Sequence, residues 1–149
     1  MADLQIKGAE KFGEVAKALK QAGDKELRKE LYSSLNRAAK PMVADAKKSA
    51  AAKLPKSGGL NKRVAKARMS VRRRAGSRPS VKIVASGMSQ LGLINRGRVR
   101  HLVYGRAPMV DQSIPEAKDW FTEPMQARAG EVRREIVKAI DAVARKLSR

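Results

Sequence analysis

The chain of 149 residues contains no cysteine, one histidine and only five aromatic residues. Without cysteine there can be no disulfide, no thiolate metal ligand and no cysteine nucleophile. With so few rings, Leu, Ile, Val, Ala and Met must build the core, and a 42% apolar content makes that core modest. No apolar run approaches the roughly 20 residues that span a bilayer. Met1-Ala2-Asp3-Leu4 also lacks a basic start leading into an apolar stretch, so the expectation is a protein made soluble in a cytoplasm.

Acid is the scarcest charge. The whole chain carries 34 Lys plus Arg against 14 Asp plus Glu, a formal net charge of +20. Between Ala46 and Val110 lie seventeen bases and no acid, which leaves seventeen bases against fourteen acids for the two ends together. A one-signed segment of this kind repels copies of itself and attracts polyanions or acidic protein surfaces.

Signals for catalysis are weak. His101 lies beside Arg100 without a nearby nucleophile or orienting acid, and it has no companions for a metal. Gly58-Gly59 followed by Lys62 lacks the spacing of a phosphate loop. Glu10 with Glu14, Glu26 with Glu30, and Glu131 with Glu135 are one helical turn apart on Lys- and Arg-rich faces, as solubilising charges are. No cofactor is expected.

Periodicity outlines the fold. Phe12, Val15, Ala16 and Leu19 recur at helical spacing before Gly23. Asp24 can cap a second, longer helix with Leu27, Leu31, Leu35, Ala38, Met42 and Ala46 on one face. Pro41 predicts a kink or restart near Ala39, and Pro55 sets the end. Met69 and Val71, then Val81, Ile83 and Ala85, alternate with polar residues around Arg74–Pro79, which reads as a basic β-hairpin. Val99–Tyr104 is a candidate third strand, and the stretch from Gly105 to Trp120 reads as a long loop. Thr122, Glu123 and Pro124 open a final helix with Met125, Val132, Ile136, Ile140, Val143 and Leu147 on one face, where Asp141 can pair with Arg145.

The expected fold class is therefore α+β, with long N-terminal and C-terminal helices packed on a small antiparallel sheet and a long loop arm. We read one domain over 1–149, with N-terminal helices over 1–54, a linker over 55–67 in which Asn61 to Ala67 forms one helical turn or simply extends, and a basic β region over 68–104. The loop arm follows over 105–121 and the C-terminal helix over 122–149.

The order of these segments resembles a known family. A capped helix from Ala22-Gly23-Asp24 through Ala38-Ala39-Lys40-Pro41 is followed by the basic hairpin and by Leu93-Ile94-Asn95-Arg96-Gly97. Trp120-Phe121-Thr122-Glu123-Pro124-Met125 then opens the last helix. This order is similar to the small tail-completion and head-to-tail connector (neck) proteins of long-tailed bacteriophages, the gene-product-ten-like family, over roughly Ala22 to Leu147. The family's apolar-acidic-Gly-Thr motif is matched by Leu93, Ile94 and Gly97. Asn95 and Arg96 stand where an acid is usual, and Arg98 replaces the Thr. Phe121 and Pro124 match its aromatic and proline pair.

The resemblance implies a non-enzymatic structural protein of the virion. It would form a homo-oligomeric ring, expected to be a hexamer, between head-closure and tail-terminator or tail-tube proteins, with no membrane partner. Leu93, Ile94, Gly97, Trp120, Phe121 and Pro124 are then candidate subunit-interface residues, although Trp120 and Phe121 could equally cap the protein's own core. Arg68, Arg72, Arg73, Arg74, Arg78 and Lys82 are candidates for facing DNA or an acidic partner. The alternative function is a sequence-independent, basic nucleic-acid-binding protein.

Overall fold

The computed structural model describes residues 2–6, 10–74, 79–103 and 105–149. It is α+β, with long helices toward both ends and two small antiparallel sheets. Its contacts group into two compact units, each assembled from separate stretches of chain.

The first, which we call the helical unit, comprises Asp3–Met42, Ser70–Val84 and Arg128–Arg149. Helix α1 (Lys11–Ala22) buries Phe12, Val15, Ala16 and Leu19, and Gly23 closes it in the left-handed conformation with φ +67°. Only glycine adopts this cap without a Cβ penalty. Asp24 begins the next helix as expected, because its Oδ1 accepts from the Leu27 amide at 2.9 Å. Helix α2 (Lys25–Lys53) contributes Leu31, Leu35, Ala39 and Met42 to the unit's core, and helix α5 (Thr122–Leu147) contributes Val132, Ile136, Ile140 and Val143. Ala38, expected on the buried face, is only half-buried, and Ala39 takes that place.

Pro41 neither ends nor restarts α2, which runs through it as one element. Pro41 lies on the solvent side, where water can satisfy the carbonyl it leaves unpaired, while Ala39 and Met42 hold the opposite face down. Asp141 pairs with Lys11 at 3.1 Å and not with Arg145, so this ion pair joins α1 to α5 instead of decorating α5 alone.

Strands β2 (Arg68–Arg74) and β3 (Ser80–Ser86) form the expected hairpin, whose turn at 75–78 lies outside the described residues. The third strand of this sheet is β1 (Ala2–Gln5), in the order β1-β3-β2. The segment from Val99, expected to fill that place, belongs to a separate sheet. Ala2-Asp3-Leu4-Gln5-Ile6 alternates apolar and polar residues as a strand does, but so short a run at the chain start carries a weak signal; the Ile6 amide extends the pairing to the Val81 carbonyl at 2.8 Å. Central strand β3 buries Val81, Ile83 and Val84, whereas β2 lies at the sheet edge with an exposed, arginine-rich end.

The second, which we call the ribbon unit, comprises Met1–Ala2, Val43–Met69 and Ala85–Ala127. The expected linker is ordered: a 3-10 turn (Ser57–Gly59) leads into helix α3 (Leu60–Ala65), and Leu54, Val64 and Ala67 are buried. Helix α4 (Leu91–Asn95) inserts Leu91 and Ile94 into the same core. Strands β4 (Arg98–Val103) and β5 (Arg106–Ser113) pair as a two-stranded antiparallel ribbon, and a 3-10 turn (Pro115–Ala117) leads on to α5. The expected loop arm is thus half ribbon. It escaped the sequence pattern because a ribbon with two wet faces imposes no apolar alternation.

Gly13 tests the packing of α1. A Cβ placed there would fall 2.5 Å from Cβ and 2.8 Å from Cγ of Pro79, atoms of a rigid ring. Gly13→Ala should therefore lower stability by about 1–3 kcal/mol through overpacking, although alanine ordinarily favours a helix by about 1 kcal/mol. Denaturant unfolding checks the sign, and a stabilised variant would contradict this packing.

Candidate docking ribbon and basic sheet edge

Three sets of hydrogen bonds fix the root of the ribbon. The chain leaves α4 through Gly97, whose φ of +78° suits glycine, and the Ile114 amide returns to the Gly97 carbonyl at 2.8 Å. A side chain at Gly97 would also press on Lys118 Cβ at 3.3 Å and the Ile114 carbonyl at 3.4 Å. Gln90 clasps β4 from the side, because its Oε1 accepts from the Arg100 amide and its Nε2 donates to the Arg100 carbonyl, both at 2.7 Å. That amide occupies the place of a neighbouring strand and satisfies part of the ribbon's edge.

Asn95 supplies the third set. Its Oδ1 accepts from the amides of Phe121 at 2.9 Å and Thr122 at 3.2 Å, and its Nδ2 donates to the Thr122 hydroxyl at 2.6 Å. The Asn95 carbonyl takes the Asp119 amide at 2.8 Å. Thr122 was expected to cap its own helix, but its hydroxyl is engaged by Asn95, and the first turn of α5 is capped from across the fold.

Most of the expected interface residues belong to this root and not to an exposed surface. Ile94 and Trp120 are fully buried, Phe121 is 1% exposed, and Gly97 is buried as well. Trp120 and Phe121 pack edge to face with centroids 5.6 Å apart, so the core-capping reading of these rings is the correct one. Leu93 and Pro124 remain half-buried. The six residues are brought together, but as the base of the arm.

The arm itself carries the exposed apolar surface. Leu102 and Met109 face each other across the ladder and are 43% and 47% exposed. Strand alternation sets them on the same side as Arg98, Arg100 and Asp111. Asp111 receives both arginines, Arg98 at 3.0 Å and Arg100 at 3.4 Å. The opposite side carries His101, whose Nε2 lies 3.1 Å from Gln112 Oε1. One face of the ribbon therefore combines an apolar pair near its tip with a charged cluster near its root. Leu102 lay in the expected strand, but its partnership with Met109 required the second strand to be known.

The basic hairpin residues lie elsewhere. Arg68, Arg72, Arg73 and Arg74 are exposed along the edge strand, Lys82 is half-buried with Asp3 at 3.7 Å, and Arg78 lies outside the described residues. The Arg73 guanidinium stacks 4.1 Å from the centroid of the Tyr32 ring on α2, a contact that spacing along the chain could not reveal. Among the described residues no group of three or more His, Asp or Glu is placed to hold a metal, and no helix is long and apolar enough to cross a membrane. Set against protein-family models, curated proteins and solved structures, the chain matches none.

Asn95→Ala should lower stability by about 2 kcal/mol, since it removes a helix cap and leaves the Phe121 amide unpaired. Asn95→Asp should cost less, because a carboxylate still accepts both amides at the positive helix end. Phe121→Ala should cost about 3–5 kcal/mol by opening a cavity. Denaturant midpoints of the three variants give the order; an unaltered Phe121→Ala protein would contradict the burial of that ring.

Proposed function

We propose that this protein is a structural subunit of a bacteriophage neck, one copy in a ring at the head-tail junction, which meets its neighbours through the β4–β5 ribbon. The observation that carries this reading is the Leu102–Met109 pair, set in solvent on an arm whose root is tightly hydrogen-bonded. An ordered arm loses little entropy on docking, because its geometry is set before the partner arrives. Its apolar pair supplies an anchor that gains by leaving water, and the Arg98–Asp111–Arg100 cluster surrounds that anchor with groups that select register. Beyond the Gln90 clasp, the ribbon edges can also accept a strand.

The neck context rests on the resemblance of the segment order to the connector family, including the placement of the Asn95 region just before the arm. A ring of six and contact with head-closure and tail-terminator or tail-tube proteins follow from the same resemblance. The role is mechanical and calls for no cofactor. Assembly would place the protein in the virion.

The double variant Leu102→Asp with Met109→Asp replaces the apolar pair by like charges in an exposed place. It should abolish ring formation or association with neck proteins while leaving the unfolding midpoint within about 0.5 kcal/mol of wild type. Sedimentation of wild type and variant reads the assembly, and circular dichroism reads the fold. Assembly at wild-type concentration by the variant would remove the ribbon from the interface.

A further inference from the structure

The basic edge of the helical unit differs in kind from the ribbon. A shallow groove along α2 is lined by Lys25, Arg28, Lys29, Tyr32, Ser33 and Asn36. Every one of these side chains carries a hydrogen-bond donor, and none is acidic or aliphatic. Arg73 reaches across from β2 to stack on Tyr32 at the side of this groove. Strand alternation turns Arg72 and Arg74 to the opposite face of the sheet from Arg73, about 6.6–6.8 Å apart along the exposed edge strand. A second groove in this unit provides a contrast, because there Glu131 and Glu135 balance Arg37 and Lys138.

We propose that the β2 edge and the adjoining stripe of α2 form a binding site for the phosphodiester backbone of nucleic acid, without sequence preference. Arg73 is the central residue. Its stack on Tyr32 removes rotamer freedom and presents the planar fork that suits a phosphate bidentately. Ser33, Asn36 and the tyrosine hydroxyl add neutral donors of the kind that position a backbone. Lys25, Arg28 and Lys29 extend the positive surface along the helix.

An acidic protein is the weaker fit. Stable protein interfaces centre on apolar anchors, and among the described residues this edge exposes no large aliphatic side chain. Backbone binding requires none, since its free energy comes largely from counterion release. Phosphate contacts carry no sequence information, so binding through these groups is expected to show no sequence preference.

The experiment measures binding of two unrelated 30-base-pair duplexes by fluorescence anisotropy as salt is raised. Wild type should bind both alike, with affinity falling steeply with salt. Replacing Arg72, Arg73 and Arg74 by Ala should make the slope of log affinity against log salt shallower by about two to three, at about 0.9 per phosphate contact. Removing the same charge elsewhere, as Lys62→Ala and Arg63→Ala on α3 with Lys66→Ala at its C-cap, should change the slope by less than one contact's worth. Tyr32→Leu, which alters no charge, should weaken binding about threefold through loss of the stack. Melting curves of each variant confirm folding. Equal effects of the two triple variants would show that only net charge matters and would overturn the site, as would absence of duplex binding. Tighter binding to an acidic polypeptide than to duplex would assign the edge to a protein partner and overturn it too.

Discussion

The side-chain amide of Asn95 joins two segments 26 residues apart, and the geometry of the ribbon unit follows from that junction. One oxygen takes two amides at the start of α5, and the nitrogen holds the Thr122 hydroxyl. An uncapped helix start would need other partners for those amides, and the adjacent Trp120 and Phe121 lie where water is excluded. Fixing the start of α5 therefore also fixes the two rings that fill the core. Because α4 ends at Asn95 and the ribbon leaves two residues later through Gly97, the same junction anchors the arm. Gln90 repeats the device on β4 with a second side-chain amide. Both anchors use neutral groups, whose hydrogen bonds resist salt better than surface ion pairs do.

Charge is distributed to the same end. The scarce acids serve as specific partners: Asp141 for Lys11, Glu30 for Lys146, Asp3 for Lys82, and Asp111 for two arginines at once. Each exposed pair contributes little stability alone. Their effect is to tie particular elements together and to leave other basic surfaces unneutralised. The ribbon receives an acid and an apolar pair, the composition of a protein-docking surface. The β2 edge and its α2 groove receive donors only.

How much of this could be read in advance depended on burial. Helices α1, α2 and α5 were legible because Phe12 to Leu19, Leu31 to Ala46 and Met125 to Val143 each bury one stripe against a core. The β2–β3 hairpin was legible for the same reason on β3. Of the ribbon, β4 was legible as the strand expected over Val99–Tyr104, but β5 was not, because its described side chains are mostly exposed and Pro108 reads as a breaker. Asn95 was seen as part of a motif, but its function is long-range, and no local pattern discloses a cap supplied from another element. Trp120 and Phe121 were ambiguous for a related reason: a large ring fits a core and an interface equally well until its surroundings are known. The Arg73–Tyr32 stack likewise required a sheet edge to be placed beside a helix.

The proposed role in a ring is most directly tested by the native mass of the purified wild-type protein, alone and mixed with neck proteins, at low and high salt. The expected species is a closed ring of fixed number, formed alone or with those neighbours, that persists as salt is raised, because apolar anchoring and neutral hydrogen bonds are weakly screened. A monomer at all salt concentrations that ignores the neck proteins and associates only with duplex would contradict it.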